Sequence, residues 1–481
     1  MQITRGRIRT GCPLALNRRR FLMTAGASAL AMKMGLLDFA ASLLGGEPKQ
    51  AGKAHILAAF ARPNTDRYWM GWPGAAYDIK ARQQQYTAIL KAAAGEQDVH
   101  LEVLGDPIHD ENTLNAFLEQ VAKAGPDGVV LTVMHLDHWG AISQFLDKRG
   151  PVPTVVFSPM GTSFTGHLQP ARRSPNACTG ATQNPEWLRT GLRMLNTVWK
   201  MKHTRLCIVA GGKVEDKPLE GLGTTLHYIP RSRFTDELKK VEDSDEVRAV
   251  ADYYAKEAKK IVEPSKEDIL NAAKNYITCR RIIEAEKCRG FSMDCLGLVG
   301  GQQIPCPPCV AFSRLNDEDS VGGCEADWNA AISMRLTSYL FGRPGFMQDP
   351  APNTVNNTLM AAHCSCPTKL DGFDKPHEPF ILRSHSESNT GIATQVLWRE
   401  GQKITIMKFE GPGRIILGTG RVLRNIDTPP SGGCRTSLEA EVDGVADSRD
   451  VKGFHQLFIY GDLEDEFKAY AQLAGIEVVH I

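Results

Sequence analysis

Between residues 56 and 157 short, almost wholly apolar runs alternate with longer amphipathic stretches, and this alternation restricts the fold more than any other feature of the chain. Strands are predicted over 56–60, 100–104, 128–134 and 154–157, with helices over 78–94, 111–124 and 139–148. A run such as Gly128-Val129-Val130-Leu131-Thr132-Val133-Met134 has no polar face, so it belongs in a sheet covered on both sides. Parallel strands joined by helical crossovers provide that cover. An α/β domain is therefore expected over 51–184. A second alternating unit, 185–349, opens with a helix over 185–201 and a strand over 205–210. It continues through the charged, helix-rich stretch 237–285 and a strand over 294–299. Beyond Asp349 strands dominate, over 380–385, 393–398, 403–409, 413–418 and 437–442. The polar turn Arg399-Glu400-Gly401-Gln402 reads as the tip of a hairpin between the second and third of these. A β-rich domain or barrel is expected over 350–481, closing on a helix over 464–474.

A chain of 481 residues is long enough for two or three domains, each with its own core. Its 56 Lys+Arg against 55 Asp+Glu leave a net charge of +1. That balance gives no reason to expect nucleic acid or an acidic membrane as partner, and it suits a small neutral polyol. Gly211-Gly212 and Gly300-Gly301 follow predicted strands without completing a phosphate-loop motif. The N-terminus is different in kind. Arg18-Arg19-Arg20-Phe21-Leu22, followed by the weakly apolar 24–31, resembles a twin-arginine export signal within residues 1–50. It implies the twin-arginine machinery as partner and a periplasmic destination. Lys33 interrupts the apolar run well short of the roughly 18 residues a span needs, so no permanent membrane span is expected. Eight of the twelve cysteines lie between Cys279 and Cys366, several inside apolar runs, and buried thiols are the favoured reading. A disulfide or a zinc cluster joining Cys306-Pro307-Pro308-Cys309 to Cys364-Ser365-Cys366 stands as the alternative.

Two carboxylates and an imidazole carry the functional signal. Glu325 sits in Cys324-Glu325-Ala326-Asp327-Trp328, Asp349 closes Gly345-Phe346-Met347-Gln348-Asp349, and His455 opens His455-Gln456-Leu457-Phe458-Ile459-Tyr460-Gly461-Asp462. Trp328, Ile332, Leu336 and Leu340 mark one face of a helix over 325–341, stopped by Gly342-Arg343-Pro344. That helix carries the chain about 24 Å away, and the extended return to Asp349 brings it back about 20 Å. Both carboxylates then finish at one end of a helix–strand pair, with Glu325 at the helix N-terminus where backbone N–H groups favour its charge. Taken singly, Glu325 reads equally as a helix cap, Asp349 as the start of a turn before Pro350, and His455 as an ordinary histidine. Together they are the donor set of a divalent cation.

At these residues the sequence resembles the L-fucose isomerase and L-arabinose isomerase-like superfamily, in particular short bacterial relatives of L-fucose isomerase. The resemblance rests on Glu325, Asp349 and His455 in that order, on Pro308-Cys309, Leu315-Asn316-Asp317 and Cys324-Glu325-Ala326-Asp327, and on Gly461 with the closing helix. It is dense from Phe291 to Ile481 and thin before. It implies two Rossmann-like α/β domains followed by a β-rich, barrel-like C-terminal domain, with a site where the second and third meet. It further implies a metal-dependent aldose–ketose isomerase working on a free monosaccharide, fucose- or arabinose-like, deoxy or modified, through an enediol(ate). Glu325 and Asp349 would be metal ligands and proton-transferring groups, and His455 the third ligand. Mn²⁺ is the expected metal, and a homo-oligomer, trimer or hexamer, the expected assembly. His363, Ser365, Arg314, Asn316 and Asp317 are candidates for holding sugar hydroxyls, with a structural salt bridge as the other reading of Arg314 and Asp317. Two departures stand out: Phe454 replaces a polar residue before the histidine, and Ala362-His363-Cys364-Ser365-Cys366 differs from the family's sugar loop. The competing readings are an exported sugar-binding protein, with Trp69, Trp72 and Trp139 as stacking rings, and a relative with a purely structural metal.

Overall fold

In the computed structural model, which describes residues 52–65, 78–429 and 432–481, the N-terminal alternation builds a five-stranded parallel sheet. Its strands are β1 (His55–Ala61), β2 (His100–Val103), β3 (Gly128–Val133), β4 (Thr154–Pro159) and β5 (Ala177–Thr182), in the order β2-β1-β3-β4-β5. Alternate residues of β1 enter two different cores: Ile56, Ala58 and Phe60 face helices Ile79–Glu96 and Trp187–Lys202, whereas Leu57, Ala59 and Ala61 face Glu111–Ala124 and Trp139–Lys148. Burial on both sides is why the strand is apolar throughout. Sequence reading missed β5 and the helix Thr165–Arg173, whose polar composition gives no periodic signal. Trp139 is buried and donates its indole N–H to Thr162 O at 2.7 Å, so it is a core residue and no stacking platform. Trp69, Trp72 and the arginine-rich leader lie outside the described residues. Among the described residues no helix is long and apolar enough to cross a membrane.

The second sheet runs β11-β10-β6-β8-β7, from β6 (Arg205–Val209), β7 (Glu215–Pro218), β8 (Thr225–Ile229), β10 (Phe291–Met293) and β11 (Gly322–Cys324). All its pairings are parallel except β7 with β8. The strand expected over 294–299 is a correction: the strand ends at Met293 and Leu296–Gly300 is a short helix. A brief apolar run does not distinguish the two, and here the helix won.

β9 (Lys260–Ile261) leaves this unit to pair with β14 (Phe380–Arg383), which also pairs with β15 (Ala393–Val396). The hairpin expected around Arg399 to Gln402 is therefore absent: β15 belongs to this small sheet, and β16 (Lys403–Phe409) to the barrel. The barrel closes through β12 (Phe346–Asn353), β13 (Thr358–His363), β18 (Thr436–Val442), β17 (Arg414–Asn425), β16 and β19 (Gln456–Tyr460), with β20 (Glu477–His480) added alongside β17. Six strands in a ring leave no free edge within it. The closing helix Glu464–Ala474 returns to the first sheet, where Gln472 donates to Arg172 O at 2.8 Å.

Glu439 on β18 ties the barrel wall. Its carboxylate accepts from Thr358 Oγ1 at 2.6 Å, Arg424 Nε at 2.7 Å and Asn353 Nδ2 at 3.1 Å. The Thr358 hydroxyl first, then Arg424, hold its carboxyl down to about 2. A depressed carboxyl stabilises the fold above its unfolded value, about 4.3, and that contribution is lost as pH falls through the folded one. Acid unfolding followed by circular dichroism is therefore expected to fall less steeply between about pH 4 and pH 2 in Glu439→Gln than in the parent chain.

Candidate metal centre

Barrel register brings the distant residues together. β12 pairs with β19 through Gln348↔Gln456, and the buried amides of those two residues hydrogen-bond at 3.1 Å. One step beyond, Asp349 and His455 come opposite each other just where the pairing ends. β13 runs along the other side of β12, with Asp349 against Ala362, so His363 arrives at the same end. Asp349 is not the end of its strand, as the sequence suggested, because β12 continues through Pro350 and Pro352 to Asn353 against β13 alone.

Glu325 is delivered from the second sheet. It follows β11 directly and precedes the cap of helix Trp328–Phe341, whose N-cap is Asp327, accepting from Ala330 N at 3.0 Å. The expectation of Glu325 in the first helical turn is corrected accordingly: Glu325 and Ala326 form a left-handed bend, with φ of 56° and 53°. His455 has φ of 54°. Three left-handed non-glycine residues at one point are costly, and such strain gathers where a side chain must be aimed. The side chain of Asn316 bridges the backbone of Gly322, donating to its carbonyl and accepting from its N–H, both at 2.9 Å. A Cβ at Gly322 would overlap the backbone of Phe312, so only glycine lets β11 pack here.

The side chains converge on one imidazole nitrogen. His455 Nε2 lies 3.1 Å from Asp349 Oδ1 and 3.5 Å from Glu325 Oε2. Although buried, Asp349 Oδ1 and His455 Nε2 make no aligned hydrogen bond. Buried polar atoms are rarely left so, and their common focus suits a cation. On the other side of the ring Nδ1 meets Asp327 Oδ2 at 2.9 Å, and Asp327 in turn pairs with Lys408 Nζ at 3.1 Å. Lys408 also donates to Phe454 O. Asp327 is the orienting partner that sequence reading did not identify; its place three residues before Ala330, as an N-cap, disguised it.

Burial disfavours charge on both partners, yet the hydrogen bond to His455 and the charge of Lys408 hold the Asp327 carboxyl at about 2. Burial likewise opposes charge on His455, but the bond to Asp327 and the adjacent charge of Asp349 raise it to about 9 in the metal-free protein. Glu325 binds its proton more tightly than an ordinary glutamate, through burial and then the nearby charges of Asp349 and Asp327, against the pull of His455.

His363, with Ser365 beside it, lies next to these donors. One donor atom each of Asp349, His363 and His455 lies within 4.8 Å of the other two. The backbone N–H of Ser365 donates to His363 Nδ1 at 3.3 Å, with the Ser365 hydroxyl 2.9 Å from the same nitrogen. Burial pulls His363 down to about 4, so it is neutral and carries its proton on Nε2. It is then a hydrogen-bond donor at the edge of the donor set. Arg314, Asn316 and Asp317 are engaged elsewhere. Arg314 pairs with Glu318 at 2.9 Å over the rings of Tyr253 and Tyr276, Asn316 holds Gly322, and Asp317 accepts from Thr368 Oγ1, Thr368 N and Lys369 N. Each of the three therefore has a hydrogen-bonding or ion-pair partner within the fold.

No protein-family model matches the chain. Among curated proteins it is 27% identical over 182 residues to a sulfoquinovose isomerase of Clostridium sp. (strain MSTE9), covering 36% of this chain and 39% of that protein. It is 24% identical over 297 residues to an L-arabinose isomerase of Bacteroides thetaiotaomicron, covering 57% and 58%, and 23% identical over 299 residues to one of Phocaeicola vulgatus, again covering 57% and 58%. The chain thus spans well under two thirds of these relatives' length. A solute binding protein from Burkholderia multivorans aligns with a TM-score of 0.19 at 10% identity, over 61% of this chain and 95% of that one. The chain is a distant relative of sugar isomerases, with the parallel sheets and closed barrel described above.

Proposed function

We propose that the chain is a metal-dependent aldose–ketose isomerase acting on a free monosaccharide. The observation that carries this reading is the convergence of Glu325, Asp349 and His455 on one point, with Asp327 fixing the imidazole from behind. A borderline cation such as Mn²⁺ fits a set of two carboxylates and an imidazole, and when bound would polarise two neighbouring sugar oxygens. Interconversion needs a proton moved between adjacent carbons. Glu325, partly open to solvent and with heightened proton affinity, takes that proton as a general base, and Asp349 handles the hydroxyl proton. His363 donates its Nε2–H to a sugar oxygen. Phe454, 56% exposed and tilted against the His455 ring, gives the mouth an apolar edge that favours a deoxy or otherwise modified sugar. Residues 17–31 are proposed to route the enzyme through twin-arginine export to the periplasm, where it would work as a homo-oligomer.

The test is deuterium wash-in. Metal-stripped protein is expected to exchange no sugar C–H with D₂O, and Mn²⁺ to restore exchange in a screen of aldoses and ketoses that includes deoxy and sulfonated ones. Exchange that persists equally after chelation would overturn the metal reading. Sugar binding without any exchange would leave a binding protein.

A further inference from the structure

Cys309, Cys364 and Cys434 gather, with Ala393, in a small cluster separate from the main cores. They come from three elements: the first residue of helix Cys309–Asp317, the residue after β13, and the segment leading into β18. Cys309 and Cys364 pack together, and Cys434 packs against them. All three are free thiols. The spacings that caught attention in the sequence are not the pairings: Cys306 Sγ accepts from Asn275 Nδ2 at 3.3 Å, and Cys366 Sγ from Trp398 Nε1 at 3.4 Å.

Accessibility singles this cluster out. Among the described cysteines, Cys434 alone is only half-buried, and the rest are buried. An open thiol in contact with a buried one is the arrangement that thiol–disulfide exchange requires, because the first can be attacked from solution and the second can resolve it. Pairing of β13 with β18 reaches His363↔Thr436, so Cys364 and Cys434 sit just past the paired segment. Gly432 and Gly433, both with positive φ, precede Cys434 and give it backbone freedom.

We propose that Cys364 and Cys434 form a disulfide-exchange site whose co-reactant is a disulfide of another molecule and whose product is a Cys364–Cys434 bond adjoining His363. Cys434, whose thiol the neighbouring Cys364 and then burial push up, attacks through its minor thiolate fraction one sulfur of the incoming disulfide, forms a mixed disulfide and expels one thiol, which takes up the Cys434 proton. Cys364 then attacks the Cys434 sulfur, closes the internal bond, and passes its proton to the second departing thiol. Two protein thiols are oxidised and one external disulfide is reduced. Oxidising compartments supply such disulfides. Closing the bond requires the two sulfurs to approach to about 2.05 Å, which moves the residue immediately after His363. The effect on activity rests on the isomerase reading; the bond does not.

The experiment uses the reduced, Mn²⁺-loaded full chain incubated with oxidised glutathione, then alkylated and digested for mass spectrometry. A Cys434–glutathione adduct followed by a Cys364–Cys434 cross-link is expected, with sugar exchange lost and restored by dithiothreitol. Cys434→Ser is expected to fold, to turn over sugar like the parent, and to ignore oxidised glutathione. A cross-link mapped to Cys309–Cys364, or a Cys434 that stays fully alkylatable, overturns the proposal. Should the cross-link form without change in sugar exchange, the coupling to His363 is refuted. Should no preparation exchange sugar at all, the isomerase reading fails while the peptide map still decides the thiol chemistry.

Discussion

Glu325→Gln is expected to abolish sugar C–H exchange while leaving the fold intact, a loss of about 10²-fold or more on the scale of a removed acid–base group. The substitution keeps the side chain's shape, and the residue is partly exposed, so packing hardly changes. What disappears is the negative charge beside His455 Nε2 and the only form of the residue able to accept a carbon-bound proton. Measured at saturating Mn²⁺, the variant separates proton transfer from weakened metal binding. Unchanged turnover with an unaltered circular dichroism spectrum would remove Glu325 from the mechanism.

The second large effect concerns a residue that touches no substrate. Asp327→Asn is expected to weaken Mn²⁺ binding about 10- to 100-fold, the usual cost of losing the carboxylate behind a ligating imidazole. Asparagine remains a good N-cap, so helix Trp328–Phe341 should keep its start, where an alanine would cost about 1 kcal/mol. The charge that aligns His455 and answers Lys408 is lost. Calorimetric titration with Mn²⁺ reads the change directly, and thermal melting of the metal-free variant checks the cap. If affinity is untouched, Asp327 is a helix cap and nothing more.

Much of the first domain could be read from local pattern, because a strand buried on both faces must be apolar at successive positions. β1, β3 and β4 meet that condition, and helices Glu111–Ala124 and Trp139–Lys148 follow the expected boundaries residue for residue. Polar β5 does not, and it went unseen. In the barrel, strands Lys403–Phe409 and Phe380–Arg383 were legible as strands but not as partners. The turn residues between 399 and 402 suggested adjacency, whereas burial sent β15 to a different sheet. Asn316 and Asp317 stood out because polar residues near a motif invite a ligand reading, and the hydrogen bonds they make within the fold were not legible from sequence.

By itself the chain order determined which residues carry nitrogen and oxygen donors, and the periodicity determined which segments become strand or helix. Both are local properties, set by side-chain chemistry and by the 3.6- and 2-residue repeats. Tertiary structure alone decided that Gln348 lies opposite Gln456, which puts Asp349 against His455, that Asp327 steers an imidazole while capping its helix, and that Cys364 packs with Cys309 and Cys434 in place of its neighbour in the sequence. Those contacts join residues tens to more than a hundred positions apart, and their choice depends on barrel closure and burial, quantities that no local stretch of sequence contains.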